Sequence, residues 1–451
     1  MNDSNTDATV VPVRFAQAWR FWLKLGFISF GGPAGQIALL HQELVHTRRW
    51  ISEQRFLHAL NYCMLLPGPE AQQLVTYIGW LLHKRWGGLV AGGLFVLPSL
   101  VMLIALSWVY MAFGQVMWVA ALLAGIKPAV VAIVLQAVHR IGSRTLHHPV
   151  LWGLALASFV AIHFADVAFP WIILIAAGVG WLGSRVWPQA FHKPGATSHA
   201  PSNGAEQRVH APAFIDDDTP VPAHARFHWR GLVQVLGIGW LAWALPMGVA
   251  VWCWGSADHL VQMGWFFTKA ALLTFGGAYA VLPYVYQGAV QHFGWLNATQ
   301  MMDGLALGET TPGPLIMVVT FVGFLGGYQQ AGTESAWLSG VVAACWVTWF
   351  TFLPSFVFIL AGGPLIERTH GQLGLTAPLT AITAAVVGVV LNLALYLGEH
   401  VLWPQGWQSG LDLPAAGLTL AALAALLVFK RSVIEVIAAC GLLRLALAYG
   451  A

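Results

Sequence analysis

Of 451 residues, 58% are apolar and 9% charged, where an ordinary soluble domain carries about a quarter charged residues. That excludes a soluble enzyme or a basic nucleic-acid-binding domain and leaves a polytopic membrane protein. The formal net charge of +3 says little in itself, because in a membrane the placement of Lys and Arg decides orientation.

The chain opens on a polar tail, residues 1–15. Met1–Arg14 includes Asp3 and Asp7 and lacks the basic start, short apolar core and cleavage site of a signal peptide. A first transmembrane repeat is expected over 16–187. Its first helix carries Lys24 and runs into Phe30-Gly31-Gly32-Pro33, and a loop follows with Arg48, Arg49, Trp50 and Arg55. The apolar stretch Phe56–Leu82 is interrupted by Pro67-Gly68-Pro69 and closed by Lys84-Arg85. Further along come the apolar run Leu89–Val109, Pro98-Ser99, Ala129–Leu135, and then Arg140 and Arg144.

Residues 188–230 are rich in Pro, His, Ala, Ser and Asp, including Asp216-Asp217-Asp218. Such a composition buries too little apolar surface to fold and reads as a flexible polar linker. Gly231–Trp254 is an extra transmembrane segment within 231–254, without a partner earlier in the chain. A second transmembrane repeat is expected over 261–450, with apolar tracts Leu379–Leu397 and Ala415–Phe429 near the ~20 residues that span a bilayer. The 23 tryptophans suit two membrane–water interfaces. Cys63, Cys253, Cys345 and Cys440 stand singly, with no CxxC spacing, so no disulfide framework or metal site is expected.

The two halves repeat one another. Lys24, Phe30-Gly31-Gly32, Trp50 and Pro67-Gly68-Pro69 recur 245 residues later, without a gap, as Lys269, Phe275-Gly276-Gly277, Trp295 and Pro312-Gly313-Pro314. Pro98-Ser99 recurs as Pro354-Ser355, and Ala129–Leu135 as Ala385–Leu391. Positive charge is complementary between the copies. The loops with Arg48, Arg49, Arg55, Lys84, Arg85, Arg140 and Arg144 have uncharged counterparts, whereas repeat two has Arg368 and Lys430-Arg431 where repeat one has none. The halves therefore read as inverted repeats. Loops 40–55 and 83–86 both read as cytoplasmic, which one crossing between them forbids and a re-entrant hairpin turning at Pro67-Gly68-Pro69 allows.

Broken helices expose N-terminal amides that carry partial positive charge. The two Pro-Gly-Pro turns and the paired glycines Gly31-Gly32 and Gly276-Gly277 are therefore the expected seat of a small anion, against a bland reading as kinks or close helix packing. Lys24 and Lys269 are the expected counter-charges, because a lysine inside a membrane helix usually has a partner or a task. Gln36, Gln72 and Gln73 in repeat one, and Thr310 and Thr311 in repeat two, complete the polar set. Glu70, Asp303 and Glu309 are candidates for proton coupling or ion pairing. The strings GxxxxGK[ST] and HExxH do not occur, which weighs against an ATP-driven pump or a zincin-type protease.

Phe-Gly-Gly-Pro, Trp, Leu-Pro-Gly-Pro-x-x-Gln, Tyr-Ile-Gly and Leu-Pro-Ser, in that order, resemble the signature of the chromate ion transporter family in its long, two-domain bacterial form. The resemblance implies efflux of chromate across the bacterial inner membrane, chromate resistance, sulfate as the structurally similar anion, oppositely oriented halves and no cofactor. Ala278 and Val281 stand where repeat one has Pro33 and Gln36, so the halves are expected to have diverged in role. A transporter of sulfate or another oxyanion, a membrane chromate reductase and a non-catalytic scaffold are the competing readings; a homodimer is compatible with all of them.

Overall fold

The computed structural model describes residues 13–186, 188–191, 213–217, 219–220, 222–332, 335–366 and 376–449; Trp187, Asp218 and Arg368 lie outside them. The described residues are helical apart from turns and one isolated β-bridge. The protein is an all-α, polytopic membrane protein, with six helices long and apolar enough to cross a bilayer among the described residues.

In the first half, α1 (Phe15–Ile28), α2 (Gly32–His41), a π-helix (Gln42–Thr47), α3 (Glu53–Cys63), α4 (Glu70–Phe113), α5 (Met117–Thr145), α6 (Pro149–Ala165) and α7 (Phe169–Val186) follow in order. The short α8 (Pro188–Phe191) and the unpaired α9 (Trp229–Trp254) come next. The second half repeats the series as α10 (His259–Leu272), α11 (Ala278–Tyr286), a π-helix (Gln287–His292), α12 (Ala298–Thr310), a 3-10 turn (Leu315–Met317) leading into α13 (Val318–Gln329), α14 (Ala336–Ile366), α15 (Thr376–Leu402), α16 (Leu413–Leu427) and α17 (Val433–Tyr449). Even the π-helical turns recur.

Local chemistry sets the boundaries. Ser52 caps α3 by accepting from the Arg55 amide at 3.3 Å, and Asn297 with Gln300 forms a capping box on α12. Asp258 and Asp412 cap α10 and α16. Within α4 the helix is broken at His83 and Lys84, the latter at φ 58°. Across this elbow the chain folds back on itself. Gly79 and Gly87 lie backbone to backbone, and Gly88 faces the Thr76 carbonyl, where a Cβ would sit 2.9 Å from the oxygen. Repeat two makes the same hairpin between α13 and α14, with Gly327 against the Ser339 carbonyl (2.6 Å from a would-be Cβ). Both copies thus have a short helix, a Pro-Gly-Pro turn, a returning half-helix and then a long apolar helix.

The repeats are intertwined. Helices α6 and α7 of the first half pack on α15 of the second, while α16 and α17 of the second pack on α5 of the first. At equivalent positions each repeat builds an aromatic box. In the second, Phe293 stacks on Trp295 at 4.4 Å and Phe266 meets Trp295 at 5.5 Å. In the first, Phe21 and Trp50 lie 4.9 Å apart and Arg48 replaces the third ring, 4.4 Å above Phe21. The landmark tryptophans are box walls.

The linker departs in part from the flexible segment expected. Phe214 and Ile215 run beside Arg49–Ser52: the Ile215 amide donates to the Trp50 carbonyl at 3.1 Å, its carbonyl accepts from the Ser52 amide at 2.9 Å, and its side chain is buried. Asp217 accepts from Ser52 Oγ at 2.5 Å, and the His224 ring meets the Trp80 carbonyl at 3.0 Å. Two apolar residues, Phe214 and Ile215, anchor a stretch whose average composition is polar.

Candidate anion site

Two junctions, related by the repeat, join the halves. The Gly313 amide donates to the Ser29 carbonyl at 2.8 Å, and the Gly68 amide donates to the Thr274 carbonyl at 2.8 Å. Ser29 and Thr274 are themselves 245 residues apart. Each Pro-Gly-Pro tip is therefore seated on the helix break of the opposite repeat, an exchange of like for like that defines a two-fold relation. Proline has no N–H, so each signature has one amide to offer, and the partner repeat has taken it. The Gly68 and Gly313 amides, expected to hold the anion, donate instead to carbonyls of the other half.

Gly68 sits at φ 130° and Gly313 at φ 104°, backbone that side chains rarely adopt. A Cβ on Gly68 would run into the Ser355 hydroxyl, and one on Gly313 would lie 2.8 Å from Ser99 Cβ. Ser99 and Ser355 are thus the immediate neighbours of the two tips, again each from the opposite repeat. Both hydroxyls are buried with no hydrogen-bond partner among the described residues, and such groups call for an explanation. Their recurrence as Pro-Ser is visible in the sequence, but their place beside the tips is not.

Within the glycine pairs, a Cβ at Gly32 or at Gly277 would meet nothing within 4 Å, while one at Gly276 would lie 3.3 Å from Thr383 Oγ1. Their φ values of 89° and 67° at Gly31 and Gly32, and 77° and 99° at Gly276 and Gly277, explain why only glycine serves. The break frees first-turn amides of α2 and α11 beside open space, apart from Pro33, which has no N–H, and the Ala280 amide, which donates to the Gly277 carbonyl at 3.1 Å; Phe30 is exposed and Phe275 half-buried next to them. The returning half-helices add the N-termini that follow Pro69 and Pro314.

Other expected residues are placed as follows. Gln36 is buried, and its Nε2 donates to the Gly313 carbonyl at 2.5 Å and to the Ser29 carbonyl at 3.4 Å; it clamps the tip. Gln73 Nε2 donates to the Pro67 carbonyl at 2.8 Å, and Gln72 to Thr76 Oγ1 at 3.0 Å. The Thr310 and Thr311 hydroxyls donate back to Leu307 and Gly308 at 3.0 and 3.1 Å, which turns their protons away from any ligand. Pro312 is buried and completes the second tip. Lys24 and Lys269 lie on the exposed faces of α1 and α10, away from the faces that pack.

The acidic residues meet cations that sequence reasoning misses or places in loops. Glu309 accepts from the Tyr279 hydroxyl, Arg140 lies 5.3 Å over the Tyr279 ring, and Arg140 is also a charge facing Glu309. Arg140 belongs to α5 of the first repeat, Tyr279 and Glu309 to the second. Arg144, one helical turn on, is the charge facing Glu70. Asp303 accepts from Tyr110 at 2.9 Å, with Lys127 of α5 the nearby cation. The signal for Lys127 is the same one that singles out Lys24, a lone cation in an apolar helix. Ligand atoms of His41 at the end of α2, His46 of the first π-helix and Glu53 of α3 lie within 4.8 Å of one another.

The clamp at Gln36 has a measurable worth. Gln36→Leu, which approaches the Val281 of repeat two, leaves the buried Gly313 carbonyl without its side-chain donor. The expected loss is about 1–3 kcal/mol, read as a melting temperature a few degrees lower for the purified protein; an unchanged melt would show that the clamp is not needed.

An all-α bundle of paired broken helices, with half-helix ends gathered at the contact between two copies of one unit, is the architecture of a membrane transporter. The chain belongs to the chromate transporter family, whose pattern it matches over residues 16–181 and 261–445. It is 32% identical to a chromate transport protein of Pseudomonas aeruginosa, over 92% of this chain and 89% of that one. It is 28% identical to a chromate transport protein of Cupriavidus metallidurans, over 91% and 87%. A probable chromate transport protein of Synechococcus elongatus is 26% identical, over 89% of each. No solved structure matches the chain. The family and the apolar helices make it a multi-pass protein of the bacterial cytoplasmic membrane.

Proposed function

We propose that this protein exports chromate from the cytoplasm by secondary active transport and so confers chromate resistance. The observation that carries this reading is the pair of reciprocal junctions. At each, a Pro-Gly-Pro tip lies on the opposite repeat's helix break, beside a buried hydroxyl with no partner among the described residues. The anion would be held by the first-turn amides of α2 and α11, the half-helix ends after Pro69 and Pro314, and the Ser99 and Ser355 hydroxyls. Every one of these is a neutral donor, suited to a dianion that must also leave.

In this reading the halves lie inverted in the membrane, as the Lys and Arg pattern suggests, so that α3 and α12 enter from opposite faces. Lys24 and Lys269, exposed on their helices, draw the anion in without gripping it. The Arg140–Tyr279–Glu309 and Asp303–Tyr110 groups form switchable contacts between the repeats and are the candidate coupling elements.

Chromate uptake into everted vesicles, with sulfate and molybdate as competitors, tests cargo. Proteoliposomes under separately imposed pH and voltage gradients test the driving force. Ser99→Ala with Ser355→Ala is expected to lower chromate flux about tenfold or more, since hydrogen bonds to a charged group are worth about 1.5–3 kcal/mol. Lys24→Ala with Lys269→Ala raises the half-saturating concentration at unchanged maximal flux. Full flux at low chromate in both double variants, or sulfate transported in clear preference to chromate, would overturn the reading.

A further inference from the structure

Away from both junctions, the α4 elbow, the end of the linker segment and α14 enclose a cavity of about 220 Å³. Its charged lining is Arg85 and Arg226, with the His224 and His228 rings beside them; burial holds the His224 imidazole toward its neutral form. Lys84 adds a further positive charge near His224. Among the described residues no carboxylate lines this cavity, and a concave surface lined by one sign of charge concentrates counter-ions.

A second observation points the same way. Helix α9 begins in this wall, with His228 at its N-cap making no side-chain hydrogen bond to the first turn. The amides of Trp229, Arg230 and Gly231 have no partner within a helix, and Gly231 lines the cavity. The Arg85 guanidinium leans over the same turn, held only by long contacts, 3.5 Å to the Gly231 carbonyl and 3.3 Å to Gln234 Oε1. The His224 ring donates its Nε2–H to the Trp80 carbonyl at 3.0 Å, which ties the end of the linker segment to α4 and leaves anion binding to the arginines and the helix start. A guanidinium pair beside an uncapped helix start is the donor set of a tetrahedral oxyanion.

We infer that this cavity is a second anion site, which binds a tetrahedral phosphate- or sulfate-type group and fastens the linker to the re-entrant elbow of the first repeat. The group can come from a free anion or from a phospholipid headgroup; Trp86 and Trp229, 74% and 71% exposed beside the cavity, are of the kind that sits at headgroup level. The site does not depend on which anion crosses the membrane. It touches none of the residues proposed to hold the cargo.

The test uses the full-length protein in nanodiscs and the variant Arg85→Gln/Arg226→Gln. Binding of radiolabelled inorganic phosphate is measured in phosphatidylcholine discs, and retention of phosphatidylglycerol through purification is measured by mass spectrometry. A loss of phosphate affinity of about tenfold or more, with lipid retention unchanged, assigns a free anion. Loss of the retained phosphatidylglycerol assigns a headgroup. Equal phosphate binding and equal lipid retention in variant and parent overturn the proposal. Arg226→Gln alone, at an exposed position, gives the same readouts should the double variant fail to fold, and retained chromate flux verifies that each variant is intact.

Discussion

Gly68→Ala and Gly313→Ala are each expected to abolish chromate flux at normal membrane expression, yet to differ in how they can be repaired. Both residues hold positive φ, and strained backbone together with overpacking amounts to about 2–6 kcal/mol against the seated tip. At Gly68 a new methyl meets two side-chain ends, the Ser355 hydroxyl and Gln73 Nε2 at 2.7 Å, whereas at Gly313 it meets Ser99 Cβ, 2.8 Å away. Ser355→Ala removes the hydroxyl and leaves only the flexible end of Gln73 to give way, while Ser99→Ala leaves the Cβ in place. Flux should therefore return in part to Gly68→Ala/Ser355→Ala and not to Gly313→Ala/Ser99→Ala. Equal rescue of both, or near-normal flux in either single variant, would mean that the tips are not seated as described.

Arg140→Gln should be nearly as damaging, for an electrostatic reason. Arg140 reaches from α5 to Tyr279 and Glu309 of the other repeat. Arg140 and Glu309 are both half-buried, and removing the cation leaves the Glu309 carboxylate without the charge that faces it, a loss of about 1–3 kcal/mol. Glu309→Gln keeps an acceptor for the Tyr279 hydroxyl and removes the stranded charge, so Arg140→Gln/Glu309→Gln should be more stable than Arg140→Gln alone. Arg140→Lys should not restore function, since a compact ammonium does not reproduce the planar group lying over the Tyr279 ring. Thermal unfolding and chromate flux of the four proteins form a double-mutant cycle. Simple additivity would show that these groups do not act together.

Much of this architecture is legible in the amino-acid sequence. The apolar runs, the gapless recurrence of Phe-Gly-Gly, Trp and Pro-Gly-Pro, and the two basic loops flanking Phe56–Leu82 point to broken helices and a re-entrant turn, because those features are local in the chain. Which side chain meets which across the repeats is not local, and so it is not legible. Nothing near Gly313 in sequence names Ser29, Gln36 or Ser99 as its neighbours, and nothing near Glu309 names Arg140. The glycine pairs invite a packing interpretation, which the empty space around Gly32 and Gly277 overturns for those two residues and the nearness of Thr383 keeps for Gly276. Composition misleads over 213–225 because it averages a segment, whereas Phe214 and Ile215 need only one apolar crevice each.

The exchange of helices between the halves has a consequence for how the chain is made. Helices α6 and α7 leave the ribosome long before α15, the helix they pack on, and α5 waits for α16 and α17 at the far end of the sequence. Contacts so distant along the chain are slow to form. The first half must therefore rest in the bilayer with its lateral surfaces unmatched until synthesis is nearly complete. Apolar flanks tolerate that delay in lipid, but the lone cations Lys127 and Arg140 tolerate it poorly. Assembly is then a closing step that the last two helices trigger, and truncation near the C-terminus harms the first repeat as much as the second.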